Sequence, residues 1–197
     1  MSLSRKFSFA VAALATYAIV NSARAGGILE SIVMLPLATS AVTVGLGLLI
    51  TFNRPPIDFR GSWWLVPTSH ALVALPVVVR IPLPAVRAVP DGLREAAAML
   101  GASPLRAWWA IDGPVLRRAS AAGAGFAAAV SLGEFGASSM LTRTGADTVP
   151  IAIGRLLGRP STLNLAAASA LSTVLAAVTV ALVLAADRRR DDAGAWF

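Results

Sequence analysis

From Leu163 to Ala186 the chain carries no charged side chain, and Asp187-Arg188-Arg189-Arg190 follows at once. About 20 apolar residues at about 1.5 Å each are needed for a helix to cross the hydrocarbon layer of a bilayer. Hydrocarbon offers no partner to a backbone N–H or C=O, so a run of this length must close its hydrogen bonds within itself, as a helix. Further apolar stretches occupy 28–50, 63–80 and 115–135, with a shorter one at 7–22. The pattern predicts an all-α fold: a polytopic transmembrane helix bundle of about five spans, one membrane domain over 1–197. Composition agrees, at 56% hydrophobic and 14% charged with mean hydropathy +0.72. A soluble domain is about a quarter charged.

The net charge is +7. A basic balance can serve nucleic acid, but here the arginines sit in connections between apolar runs, which excludes a nucleic-acid face and points to lipid headgroups. Arg80, Arg87, Arg94, Arg106, Arg117 and Arg118 cluster around one connection, and Arg188 to Arg190 follow the last run. Two spans separate these regions, so they share a side, and the more basic side is cytoplasmic. Arg54, Arg60, Arg143, Arg155 and Arg159 fall on the other side. With no cysteine, a disulfide framework and a thiolate metal site are excluded. No G-x-x-x-x-G-K-[ST] loop is present, so the chain is not itself a P-loop ATPase.

Within the runs, 7–22 follows Arg5 and Lys6 and precedes Ala23-Arg24-Ala25, so both a signal peptide and a membrane helix fit. In 28–50, Pro36 predicts a kink, and Gly45 and Gly47 predict close helix packing. In 63–80, Trp63 and Trp64 suit an interfacial belt and Pro67 and Pro76 predict bends. His70, the single histidine, is either a packed polar residue or an intramembrane ionisable group with a functional role. In 115–135, Ala119, Gly123 and Ala127, and likewise Ala121, Gly125 and Ala129, recur every four residues as faces for close helix contact. That run ends in Ser131-Leu132-Gly133-Glu134-Phe135-Gly136. An acid at membrane depth is costly unless paired or hydrated. Glu134, between Gly133 and Gly136, is therefore either a pathway or gate residue or a structural acid paired with an arginine such as Arg143 or Arg155.

The connection over 90–114 reads PDGLREAAAMLGASPLRAWWAIDGP. Asp91 can cap a short helix, with Glu95 in its first turn. Gly101 stands where a left-handed residue ends that helix. Ser103 and Pro104 start a second one, predicted to stop at Gly113-Pro114. The result is a two-helix knuckle with a small-residue first helix, suited to a partner's groove.

The spacing of Glu95, Ala96, Ala97, Gly101, Ile111 and Pro114 resembles the EAA loop of the membrane subunits of bacterial ABC importers. Gly113 departs from it, standing where that family usually has Leu. The resemblance implies a cytoplasmic coupling loop that docks on ABC ATPase subunits, with Glu95 as the charged contact and Gly101 as the hinge in their groove. Helical spacing adds Leu93, Ala97 and Leu100 as apolar contacts. The stretches SLGEFGAS and VPIAIGRLLGRP resemble permeases for ferric iron and thiamine, and also those for molybdate and sulfate. The likeness covers roughly 7–187, the C-terminal half of such a subunit. With five spans the N-terminus falls outside together with Arg5 and Lys6, an awkward placement that reads as a piece of a larger permease. The implied protein is a bacterial inner-membrane permease subunit, with its coupling loop and C-terminus cytoplasmic. It would move a small solute, ferric iron or thiamine first, from an extracytoplasmic solute-binding protein, beside a second permease half. No catalytic residue, cofactor or metal is expected. The alternative is a truncated or non-transporting membrane scaffold.

Overall fold

A computed structural model describes residues 14–16, 18–19, 22, 26–54, 57–58, 62, 64–142, 147–159 and 161–194. Helices dominate: α1 (Gly26–Ala38), α2 (Ala41–Thr51), α3 (Leu65–Arg80), α4 (Pro82–Arg87), α5 (Asp91–Met99), α6 (Pro104–Leu132), α7 (Gly136–Leu141), α8 (Val149–Leu157) and α9 (Thr162–Gly194). Between α2 and α3, Asn53–Arg54 pairs antiparallel with Ile57–Asp58 as a minimal ribbon. The all-α membrane architecture is thus present.

The spans differ in detail from the expectation. Among the described residues, two helical stretches are long and apolar enough to cross a membrane: Leu65–Arg87, which joins α3 to α4, and Thr162–Arg188 within α9. The pair α1 and α2 makes a third if taken as one span, but the two are bent by 100°. One kinked helix was expected over 28–50. Pro36 lies inside α1, and the break comes after it, at Thr39-Ser40. There the Thr39 hydroxyl donates to the carbonyls of Leu35 and Pro36 at 3.4 and 3.3 Å. Ser40 is extended, with φ −69° and ψ 139°. A side chain that takes the last carbonyls ends a helix as well as a kink does.

Three further boundaries move. α6 does not stop at Gly113-Pro114; it runs 29 residues with Pro114 inside. Proline frees the carbonyl four residues back, and that residue, Ala110, is exposed, so solvent can satisfy it. Buried Asp112 and Leu116 on either side hold the helix together. Its apolar part then ends at Leu132, and Arg117 and Arg118 with the Ala/Gly-rich tract leave it below the apolarity of the other two spans. At the chain's other end, Asp187 to Arg190 close the apolar span but not the helix, which reaches Gly194. Arginine is a good helix former once outside hydrocarbon. The run at 7–22 lies mostly outside the described residues.

The chain divides into two compact units. The first holds residues 1–33, 77–127 and 184–197. Its core cluster is Val86, Trp108 and Leu116. The face Ala119–Gly123–Ala127 is buried as expected for close packing, and Gly123 lies against Ile81 and Val78. In this unit Arg87 of α4 also pairs with Glu30 of α1 at 2.7 Å. The second unit holds residues 34–76 and 128–183. Here α2 lies directly on α7: a Cβ placed on Gly45 would stand 2.6 Å from the Ala137 Cα, and one on Gly136 would stand 3.1 Å from the Val42 amide nitrogen. Only glycine allows that approach of backbone to backbone.

Candidate functional site

The knuckle belongs to the first unit. α5 is preceded by extended Pro90, so Asp91 is the first helical residue and not the cap expected of it. Its carboxylate instead accepts from Arg94 Nη1 at 2.8 Å. The far end follows the expectation closely. Gly101 has φ +78°, the left-handed region that favours glycine. The Gly101 amide donates to the Ala98 carbonyl at 2.9 Å and the Ala102 amide to the Ala97 carbonyl at 3.0 Å. Together these bonds form a Schellman cap. Pro104 then opens α6.

No residue of α5 is buried. Met99 and Leu100 are 90% and 88% exposed, and Leu93 and Leu105 stand out beside them. Glu95, Ala96 and Gly101 are exposed and Ala97 is half-buried. In α6, Ile111 is half-buried and Pro114 exposed. Of the expected docking residues, Leu93, Glu95, Ala96, Leu100 and Gly101 are thus exposed around the turn, while Ala97 and Ile111 are half-buried and Pro114 is exposed further along α6.

At the base stands a feature that local reading missed. Arg94 Nη2 donates to Asp112 Oδ1 at 2.5 Å, and Nε donates to Oδ2 at 3.2 Å. The same guanidinium reaches the Val86 carbonyl at 3.4 Å. Asp112 is completely buried. The fork-to-carboxylate geometry is the strong form of this pair. The hydrogen bond to Asp112 is also the main reason the guanidinium holds its proton more tightly than usual. The signal was there in part: Asp112 is a lone acid among Trp108, Trp109 and Ile111, and a buried acid demands a partner. Its partner lies on another helix, where no spacing rule reaches.

The second site belongs to the second unit. It forms where α6 ends and the chain passes through Gly133, Glu134 and Phe135 into α7. Glu134 is 6% exposed. Its Oε1 accepts from the Ala137 amide at 2.7 Å, and its Oε2 accepts from the Ser138 amide and hydroxyl, both at 2.9 Å. His70 of α3 faces the same group. Its Nε2 lies 2.7 Å from Ser138 Oγ and 3.6 Å from Glu134 Oε2, while Nδ1 lies 2.8 Å from Ser131 Oγ. The Ser138 hydroxyl has one proton, and Glu134 takes it. His70 must then donate from Nε2, which fixes the tautomer of a neutral ring and makes Nδ1 the acceptor for Ser131.

Glu134 and His70, read separately from the sequence, are thus neighbours. The arginine pairing considered for Glu134 is not seen among the described residues: Arg155 pairs with Asp147, and Arg143 lies outside them. Ser131 and Ser138 were missed because a serine in a small-residue tract carries no pattern of its own. Gly133 is exposed and Gly136 half-buried against α2. Gly133 also borders an open groove of about 390 Å³ with Ile153, Ser172, Leu175 and Thr179. Among the described residues no three His, Asp or Glu side chains gather as metal ligands would.

No protein-family model matches the chain. Known proteins do. The 2-aminoethylphosphonate transport system permease protein PhnV of Salmonella typhimurium, so named, is 30% identical over 160 residues, which is 81% of this chain and 59% of that protein. PhnU of the same organism, named for the same transport system, is 31% identical over 105 residues, 53% of this chain and 37% of that one. The thiamine transport system permease protein ThiP of Brucella abortus is 26% identical over 168 residues, 85% of this chain and 30% of that protein. The chain spans somewhat over half the length of PhnV. The likeness takes in both the knuckle and the Glu134 turn in the longer matches, and the chain is related to the permease subunits of bacterial ABC importers.

Proposed function

We propose that this chain is the membrane-spanning part of an ATP-driven importer, and that it works by alternating access with ATP hydrolysis carried out by a separate ATPase. The observation that carries the reading is the exposed tip of Leu93, Glu95, Met99, Leu100 and Gly101, an apolar protrusion with no buried residue of its own. Such a tip fits a cytoplasmic ATPase groove, with Glu95 as the charged contact. The C-terminal arginines share its side. A second permease half supplies the second knuckle for the second ATPase, and an extracytoplasmic binding protein delivers the solute.

Gly133, Glu134, Gly136 and His70 belong to the gate in this reading. Both Glu134 oxygens already accept hydrogen bonds, so the acid serves as the gate's fastening and not as a direct solute ligand. For the solute we favour a small charged organic molecule. The relatives are named for 2-aminoethylphosphonate and thiamine. Ferric iron rests only on the SLGEFGAS and RLLGRP stretches, with molybdate and sulfate behind it.

The test is reconstitution of the full chain with its genomic-neighbour ATPase and binding protein in proteoliposomes. ATP-dependent uptake of radiolabelled thiamine or 2-aminoethylphosphonate is expected. Gly101→Trp should abolish ATPase binding while leaving membrane insertion intact. A chain that neither binds nor stimulates the ATPase would be a scaffold and not a transporter.

A further inference from the structure

We infer that Arg94 and Asp112 form the strut that makes the knuckle a rigid lever, positioning residues for energy coupling that lie outside the docking surface itself. The inference rests on the importer reading above.

No apolar residue of α5 is fully buried and only Ala97 is half-buried, so apolar packing does little to set its direction. What ties it down is the Arg94 side chain. That one guanidinium meets Asp112 of α6 through two nitrogens, the Val86 carbonyl of α4 through a third bond, and Asp91 of its own helix. Three helices therefore converge on a single planar group. A fork has one good orientation on a carboxylate, whereas a lysine would be a swivelling point charge. Trp108, Asp112 and Leu116 are spaced by four and lie on one face of α6, and Val86, whose carbonyl Arg94 reaches, clusters with Trp108 and Leu116. The strut thus adjoins the first unit's core cluster.

Separating the pair would leave a fully buried carboxylate without its cation, which is strongly unfavourable. A push on the tip is then not absorbed by rotation of α5 about Gly101. It passes through Arg94 to Asp112 and into α6. Gly101 supplies the turn, and the ion pair supplies the stiffness. The tip contacts the partner; the strut lies behind it, since Asp112 has no exposure and the Arg94 side chain, 29% exposed, is turned toward Asp112. Binding and coupling should therefore separate.

The experiment uses the full chain in lipid nanodiscs. Hydrogen–deuterium exchange is read first, without the ATPase, over residues 91–102. Arg94→Lys and Asp112→Asn should each raise exchange there by about tenfold, the loss of a bidentate charge-assisted pair, with the rest of the chain unchanged. The second arm adds the ATPase. Each variant should keep its affinity within about twofold and lose about tenfold in stimulated hydrolysis at saturation, a loss confined to the coupling step. Because the chain has no cysteine, Arg94→Cys with Asp112→Cys can be bridged by a short bis-thiosulfonate, and bridging should restore the stimulation. Unchanged exchange in both variants would overturn the strut. Equal losses of affinity and hydrolysis would overturn it too, since they would place the pair in the docking surface or the fold alone. If the unmodified chain fails to bind the ATPase, the importer reading falls, while the exchange arm still decides whether the strut exists.

Discussion

Two buried acids, Asp112 and Glu134, are made tolerable by opposite means. Asp112 sits beneath the knuckle and is neutralised by a full guanidinium in fork geometry. Glu134 sits at the turn into α7 and is held by two backbone amides, a serine hydroxyl and a histidine edge, with no arginine among the described residues. The difference is mechanical. An ion pair beside a core cluster is costly to open and makes a stiff joint. A carboxylate fastened by neutral donors can exchange one donor for another, or for water, without separating charges. The first arrangement suits a lever and the second a gate.

The contrast is easiest to break at its stiff end. Arg94→Ala would strand Asp112 and should destabilise the chain by about 3–5 kcal/mol, read by thermal unfolding in detergent. A loss under about 1 kcal/mol, the range of exposed surface pairs, would show that solvent reaches Asp112 and that the two acids are alike. Next comes Glu134→Ala, which frees two buried amides at about 1–3 kcal/mol each. Glu134→Gln should recover part of this, because one amide oxygen can still accept. Recovery of none of it would mean that charge, not hydrogen bonding, holds the turn.

Gly101→Ala should cost about 1–2 kcal/mol, from placing a Cβ at φ +78°. Open space surrounds that position, so the cost is conformational and not steric. Smallest of all in stability terms is Met99→Ser, expected within about 0.5 kcal/mol because the side chain is 90% exposed. The same change should weaken ATPase binding. The pair also has a pH signature. The folded state raises the proton affinity of Arg94, chiefly through Asp112. The stabilisation from this group is therefore fully present below the usual guanidinium range and is lost only as pH rises beyond it. Mildly alkaline buffer should leave exchange at residues 91–102 unchanged through Arg94.

What the sequence made legible were features carried by neighbouring residues. Gly101 announced its left-handed turn, Pro104 opened the next helix, and the uncharged run from Leu163 declared a span. What it hid were features settled by packing between distant segments. Pro114 reads as a stop, yet α6 continues because Asp112 and Leu116 are buried on either side of it. The 100° bend falls at Thr39-Ser40, where neither glycine nor proline marks it. Arg94 counted only as a topology charge, and Glu95 beside it drew the attention. The meeting of His70 with Ser131, Glu134 and Ser138 joins α3 to a turn more than sixty positions away, beyond any periodicity.

The central claim is that the tip of the knuckle faces the cytosol and meets the ATPase there. In this cysteine-free chain, Met99→Cys gives one thiol at a point of the knuckle where the native side chain is 90% exposed. A membrane-impermeant maleimide should label it in inverted vesicles and not in intact cells, and added ATPase should protect it. Labelling in intact cells, or labelling that the ATPase leaves untouched, would contradict the account.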